Sequence, residues 1–324
     1  MASNGVAEQL VKYLTDAHSI EEQALQQLRG APDAAGDPEL AEAFRLHLAE
    51  TERHERVVCE RLEALGHSPS RIKDLLMRAG GAAFLLFARA QPDTPGKLAA
   101  HAFSYEHMEL AAYDLLARVA DRAADEETAA LAREIRGEEN AMAQRLADLF
   151  DRAVDASLRE VEPDDLDEQL NKYLADAHAI EAQAIQLLEK GPGLAGDAEL
   201  ARIYEEHLAE TREQQRLVDE RLEARGGSST SLKDMAMRAG ALNWGMFFQT
   251  HPDTPGKLAC FAYAFEHLEI AGYQELALVA RRAGDEETVA LAQRIRGEEE
   301  GAAQKLADSF DRAAEASLQA VGVA

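Results

Sequence analysis

The sequence predicts an all-α protein made of two four-helix bundles, and three observations carry that prediction. Residues 5–164 align with residues 165–324 without a gap, with about 88 of the 160 pairs identical. One unit is therefore written twice, at a length beyond that of a solenoid repeat. Within each unit apolar residues recur at steps of three and four and do not alternate, which is the period of helices and not of strands. Gly, Pro and Asp then cut each unit into four long segments, with a shorter, strongly apolar one between the second and third.

The first helix is expected near 6–29 and ends in the stretch from Gly30 to Gly36. The second runs near 37–66 and is closed by Gly66-His67-Ser68-Pro69. A short helix near 70–90 lies in the crossover. Pro92-Asp93-Thr94-Pro95 opens the third helix, near 95–123, with Thr94 as N-cap and Pro95 at the first helical position. The fourth spans 125–157. The seam falls at Glu162-Pro163-Asp164-Asp165, where Pro and acidic residues end one helix and start the next. The expected domains are 1–162 and 163–324, each a bundle with a long crossover between its second and third helices.

The 324 residues carry 34 Lys+Arg against 60 Asp+Glu, a formal charge of −26, at 46% hydrophobic residues. That apolar share belongs to a folded domain. The charge would repel a phosphate backbone or an anionic bilayer, which argues against nucleic-acid and membrane-surface partners. No window reaches the roughly 18–20 uninterrupted apolar residues of a membrane span, and the first residues lack a signal-peptide pattern. A cytoplasmic protein is expected. Cys59 and Cys260 face Asp219 and Ala100 across the repeat, so they read as incidental thiols and not as a disulfide framework.

The informative residues are acids in apolar stripes. Glu21 stands seven residues from both Leu14 and Leu28, and Glu181 repeats this between Leu174 and Leu188. Glu50 lies between Ala43 and Val57, and Glu210 between Ile203 and Leu217. On the third helix Glu106 and Glu109 share one face, as do Glu266 and Glu269. On the fourth, Glu139 and Glu299 are the inward choices, while Glu138 and Glu298 sit at the stripe edge. An ionised carboxylate in a bundle core costs several kcal/mol unless a cation offsets it. No matching set of in-stripe Lys or Arg is present, and a bound metal pair would supply the charge; oxygen ligands from four facing helices suit iron, with manganese as the alternative.

Histidine adds to this set. His47 and His207 share the stripe of the second helix with Glu50 and Glu210, and each either ligates or hydrogen-bonds a ligating carboxylate from outside. His18 and His178 stand one turn before Glu21 and Glu181. His54 follows Glu50 by four residues and is placed to ligate, but its counterpart is Gln214, so two sites using it would differ. His107 and His267 fall off the Glu face. Tyr113 and Tyr273 are candidates to donate an electron or a hydrogen bond beside the acids. The outer charges Arg53/Glu213 and Glu134/Arg294 swap between repeats.

The motifs D-A-H-x-I-E at Asp16 to Glu21, H-L-x-E-T at His47 to Thr51, E-H-x-E-x-A-x-Y at Glu106 to Tyr113 and the Glu138-Glu139 pair resemble, as a set and in both repeats, the ferritin-like YciE/YciF family of stress-associated bacterial proteins. The resemblance implies a rubrerythrin-like bundle, usually dimeric, with a di-iron-type site at Glu21, Glu50, Glu106, Glu109 and Glu138/Glu139 and their partners 160 residues on. Tandem duplication departs from that pattern and suggests an intramolecular pseudo-dimer, with further homo-oligomers open to it. The apolar stretches Gly80 to Phe87 and Gly240 to Phe247, the latter with Trp244, are the candidate shared surface or else cap their own bundles. The expected chemistry is Fe(II) oxidation coupled to reduction of O2 or H2O2. The alternatives are oxidation of an organic substrate, a dimanganese site, or a non-enzymatic metal-binding or interaction bundle.

Overall fold

The computed structural model describes residues 2–69, 94–228 and 253–323. The expected helix near 70–90 and the stretches 80–87 and 240–247 lie outside the described residues. Among those described, every regular element is helical, and none is long and apolar enough to cross a membrane. The chain divides into two compact units, residues 1–159 with 323–324, and residues 160–322.

In the first unit α1 (Ala2–Leu28), α3 (Pro38–Ala64), α4 (Thr94–Arg122) and α5 (Glu126–Leu158) are the four long helices, with a single-turn α2 (Ala31–Ala34) inside the first connection. After a 3-10 turn at Pro163–Asp165, the second unit repeats the pattern as α6 (Leu166–Leu188), α7 (Gly191–Leu194), α8 (Ala198–Ala224), α9 (Thr254–Arg282), α10 (Glu286–Asp308) and α11 (Phe310–Ala320). Leu14, Leu40, Phe44, Leu62, Leu115, Leu116, Ile135 and Met142 are fully buried in the first bundle. Each such side chain contributes about 1.5–3 kcal/mol by leaving water.

Asp side chains cap the starts of α3, α5, α8 and α10. Asp37 accepts hydrogen bonds from the backbone N–H of Glu39 and Leu40 at 2.9 and 3.1 Å, and Asp197 does the same for Glu199 and Leu200. Asp125 accepts from Thr128 N–H at 3.0 Å while Arg61 of α3 reaches both of its oxygens at 2.7 and 2.8 Å. That Asp therefore fixes the start of α5 and ties it to the end of α3. Gly36 has φ +65°, and a Cβ there would stand 2.8 Å from Pro95 Cγ, so only glycine lets the first connection pass against the start of α4.

Two local details differ from the sequence expectation. Thr94 is already helical, with Pro95 second; a proline is tolerated anywhere in the first turn, where its missing N–H would have no intrahelical partner. The last long helix of the second unit is broken at Ser309, which occupies the place of Leu149. The Ser309 hydroxyl donates to the carbonyl of Leu306 at 2.7 Å, and its backbone N–H donates to the same oxygen at 2.9 Å. A serine that bonds its own preceding turn competes with the helical ladder.

Asp125→Ala removes a cap worth about 0.5–2 kcal/mol and takes the Asp125 carboxylate from the largely buried guanidinium of Arg61, which is left with Thr128 and Glu127. The expected loss is about 2–4 kcal/mol in the unfolding transition of the first unit, read by urea denaturation. Asp125→Asn, which keeps the cap, should lose less.

Candidate metal centre

The inward face of α3 is set by the steps Leu40, Ala43, Phe44, His47, Thr51, His54, Val58, Leu62, all buried. Three of these are polar, so a stripe traced by apolar residues alone drifts one position and puts Glu50 inside. The structure instead turns His47 and His54 inward and leaves the Glu50 side chain 40% exposed. Thr51 fits between them because its hydroxyl donates to the His47 carbonyl at 2.9 Å.

In the first unit the chain brings together Glu21 of α1, His47 and His54 of α3, Glu106 and Glu109 of α4, and Glu139 of α5, all buried. They form two groups able to hold a metal ion: His47, Glu106, Glu109 and Glu139 in one, and Glu21, His54 and Glu139 in the other, with ligand atoms mutually within 4.8 Å. Glu139 belongs to both. One of its oxygens, Oε1, stands 2.7 Å from Nδ1 of His54, and the other, Oε2, stands 3.4 Å from Nε2 of His47. Nε2 of His47 is also 3.1 Å from Oε2 of Glu106.

The remaining predicted residues stand around this set. Oε2 of Glu50 lies 3.2 Å from Nδ1 of His47, and Oε2 of Glu138 lies 2.6 Å from Nε2 of His54. Each outer carboxylate thus holds the far nitrogen of an inward imidazole, which fixes ring orientation and tautomer. Arg53 pairs with Glu138 from the solvent side. Tyr113 is buried on α4 and its hydroxyl donates to Oε1 of Glu21. His107 lies apart, buried against the Phe103 ring, with Nδ1 2.7 Å from the Phe103 carbonyl. His18 does not join Glu21; its Nε2 is 3.0 Å from Oε1 of Glu55, and with Cys59 these form a separate three-residue group. The signal for that group, Glu55 and Cys59 one turn apart opposite a buried histidine, is visible only once α1 and α3 are docked.

The second unit keeps half of the arrangement. His207, Glu266, Glu269 and Glu299 are buried and form one metal-capable group. Nε2 of His207 lies 2.8 Å from Oε2 of Glu266 and 3.5 Å from Oε2 of Glu299. Glu181 is buried and accepts from the Tyr273 hydroxyl. Glu210 stays outside, 43% exposed, beside Nδ1 of His207. Gln214, at the place of His54, donates from Nε2 to Oε2 of Glu298 at 3.2 Å.

Burial, then the neighbouring Glu139, push Glu21 up to about 8. Burial raises Glu139 to about 7 against the pull of His54 and His47. Burial and the surrounding acids hold Glu109 well above the usual carboxylate range. Burial disfavours charge on His54, yet the contacts with Glu139 and Glu21 carry it up to about 9. Both oxygens of Glu109 and of Glu139, one each of Glu21 and Glu106, Nε2 of His47 and Nδ1 of His54 are buried without an aligned hydrogen bond. Acceptors left unsatisfied in a dry core are expensive. Their convergence from four helices fits a cation, and the carboxylate-imidazole donor set suits iron or manganese.

These shifts fix a pH dependence for the metal-free protein. The folded chain keeps protons on Glu21 and Glu139 that the unfolded chain releases above about 4.5, so this contribution declines from there to about pH 8. The stability from charged His54 is complete below its ordinary 6.5 and is lost as pH rises through about 9. Urea midpoints measured with chelator should fall from pH 5 to pH 9. Bound metal holds the carboxylates ionised, so loaded protein should gain stability from pH 5 to pH 7.

A family model described as a domain of unknown function, DUF892, matches residues 6–159 and again residues 165–319. No solved structure matches the chain. With both repeats covered almost end to end, the chain belongs to the DUF892 family and carries its domain twice.

Proposed function

We propose that the first repeat holds a carboxylate-bridged di-iron centre and that the protein oxidises Fe(II) while O2 or H2O2 is reduced. The observation that carries this reading is Glu139, a fully buried carboxylate whose two oxygens face two different histidines amid three further buried acids. Four carboxylates against two imidazoles leave an excess of acid that either protons or bound cations must neutralise. The resemblance of the motifs to the YciE/YciF family supports the same reading and adds the expectation of a stress-related role.

A bound iron pair would supply two electrons together, as reduction of O2 or H2O2 requires, and glutamates that bridge or shift between one and two bound oxygens accommodate the change in iron charge. The chain's own residues do the rest. Glu21, His47, His54, Glu106, Glu109 and Glu139 are the ligands of this reading, and Glu50 and Glu138 orient the two imidazoles. The Tyr113 hydroxyl holds Oε1 of Glu21 and leaves Oε2, which has no partner, for the ion. Burial on all four helices keeps bulk water from the acids.

A cavity of about 20 Å³ lies beside Glu106, lined by Ala24, Leu28, Phe44, Leu98 and Tyr105 among others. It has room for a water molecule or a diatomic.

The test is anaerobic Fe(II) loading of chelator-stripped protein followed by air. The reading expects tight Fe(II) binding, oxygen consumption and a new near-ultraviolet absorbance; protein that neither binds Fe(II) nor consumes oxygen contradicts it. Glu139→Gln should abolish the absorbance with helicity intact. Glu50→Ala and Glu138→Ala should weaken metal binding by about 10–100-fold, the usual cost of losing a group that orients a ligand. Tyr113→Phe should leave metal content unchanged and slow the oxidation.

A further inference from the structure

We infer that the two repeats hold different numbers of metal ions, two in the first and one in the second. The inference rests on reading the buried clusters as metal sites, and it concerns how this particular chain has divided them. Of the three metal-capable groups in the first repeat, the two built on the central acids share Glu139 and nothing else, and each contains its own imidazole; the third, His18 with the half-buried Glu55 and Cys59, shares no residue with them and is not counted in this centre. In the second repeat the group around His207 is retained with near-identical contacts, whereas the group around Glu181 has lost its nitrogen ligand.

Gln214 occupies the place of His54 and is equally buried. Its amide nitrogen has no lone pair to give and already donates to Glu298. What remains is a neutral carbonyl oxygen, a much weaker donor than an imidazole. A second ion there would be left with Glu181, one oxygen of which is engaged by Tyr273, and with Glu299, which already serves the first ion.

The change is local and not a general decay of the site. The outer contact on Glu138, made by Arg53 from α3, is rebuilt on Glu298 by Arg294 from α10, at 2.9 Å, because Arg53 becomes Glu213 while Glu134 becomes Arg294. The guanidinium has moved to another helix and still finds the same carboxylate. Surroundings that keep this support while the ligand alone is replaced define a site for one ion.

Equilibrium dialysis of the full chain against Co(II) under argon, with metal counted by atomic spectroscopy, tests this without any oxidation step. Wild type should bind three Co(II) per chain, a count that Cys59→Ser, which removes the thiol of the separate His18–Glu55–Cys59 group, leaves unchanged. His54→Gln should bind two, and Gln214→His should bind four. Each substitution installs the residue that the other repeat already carries at that place, and circular dichroism verifies that helicity is kept. A wild-type count of two or four, or variant counts that do not move in these directions, overturns the inference. A count of zero overturns the metal reading along with it. If three Co(II) bind but Fe(II) is not oxidised, the proposed activity fails and the unequal division stands.

Discussion

Four carboxylates, Glu21, Glu106, Glu109 and Glu139, meet in the dry interior of the first bundle with two imidazoles among them, and the rest of the unit is organised around that concentration of charge. Left alone, such a cluster relieves itself by taking up protons, which is the direction in which burial and mutual repulsion move Glu21, Glu109 and Glu139. A bound cation would reverse the balance, with the oxygens that are costly without partners as its ligands. The same geometry would then be a liability in the metal-free chain and a source of stability in a loaded one.

Holding that geometry is the task of the scaffold. The acids sit mid-helix, Glu21 on α1, Glu106 and Glu109 on α4 and Glu139 on α5, where neighbouring apolar turns lock their positions, and α3 adds the two histidines. Asp125, bonded to both the start of α5 and Arg61 of α3, sets the relative placement of the two helices that carry Glu139 and the histidines. The outer carboxylates Glu50 and Glu138 then fix the two rings, and Arg53 anchors Glu138 in turn. In the second repeat the Asp285–Arg221 tie and the Glu210 contact with His207 persist, Glu298 is held by Arg294 of its own helix instead of an arginine on the neighbouring one, and the imidazole is replaced by Gln214.

The helical architecture and the duplication were fully legible in the sequence, because a three-four period and a gapless 160-residue self-alignment depend on nothing beyond the chain itself. Glu21, Glu109 and Glu139 were legible for a related reason: an acid flanked at seven-residue steps by apolar residues, Leu14 and Leu28, Ala102 and Leu116, Ala132 and Leu146, has little choice of direction. Helix α3 was harder, since its inward face carries His47, Thr51 and His54, and hydropathy cannot separate polar residues turned inward from polar residues turned out. That ambiguity exchanged the places of His47 and Glu50. The break at Ser309 and the pairing of His18 with Glu55 depend on one hydroxyl and on the docking of two helices, which no periodicity encodes.

The claim that buried acids in the first repeat exist to surround a metal pair is tested most directly by crystals of iron-loaded protein and anomalous scattering at the iron edge. The account predicts two anomalous peaks in the first bundle, one on each side of the Glu139 carboxylate, with the six inward side chains as neighbours. Well-ordered crystals in which those side chains close on one another or on water, with no anomalous density between them, would contradict it.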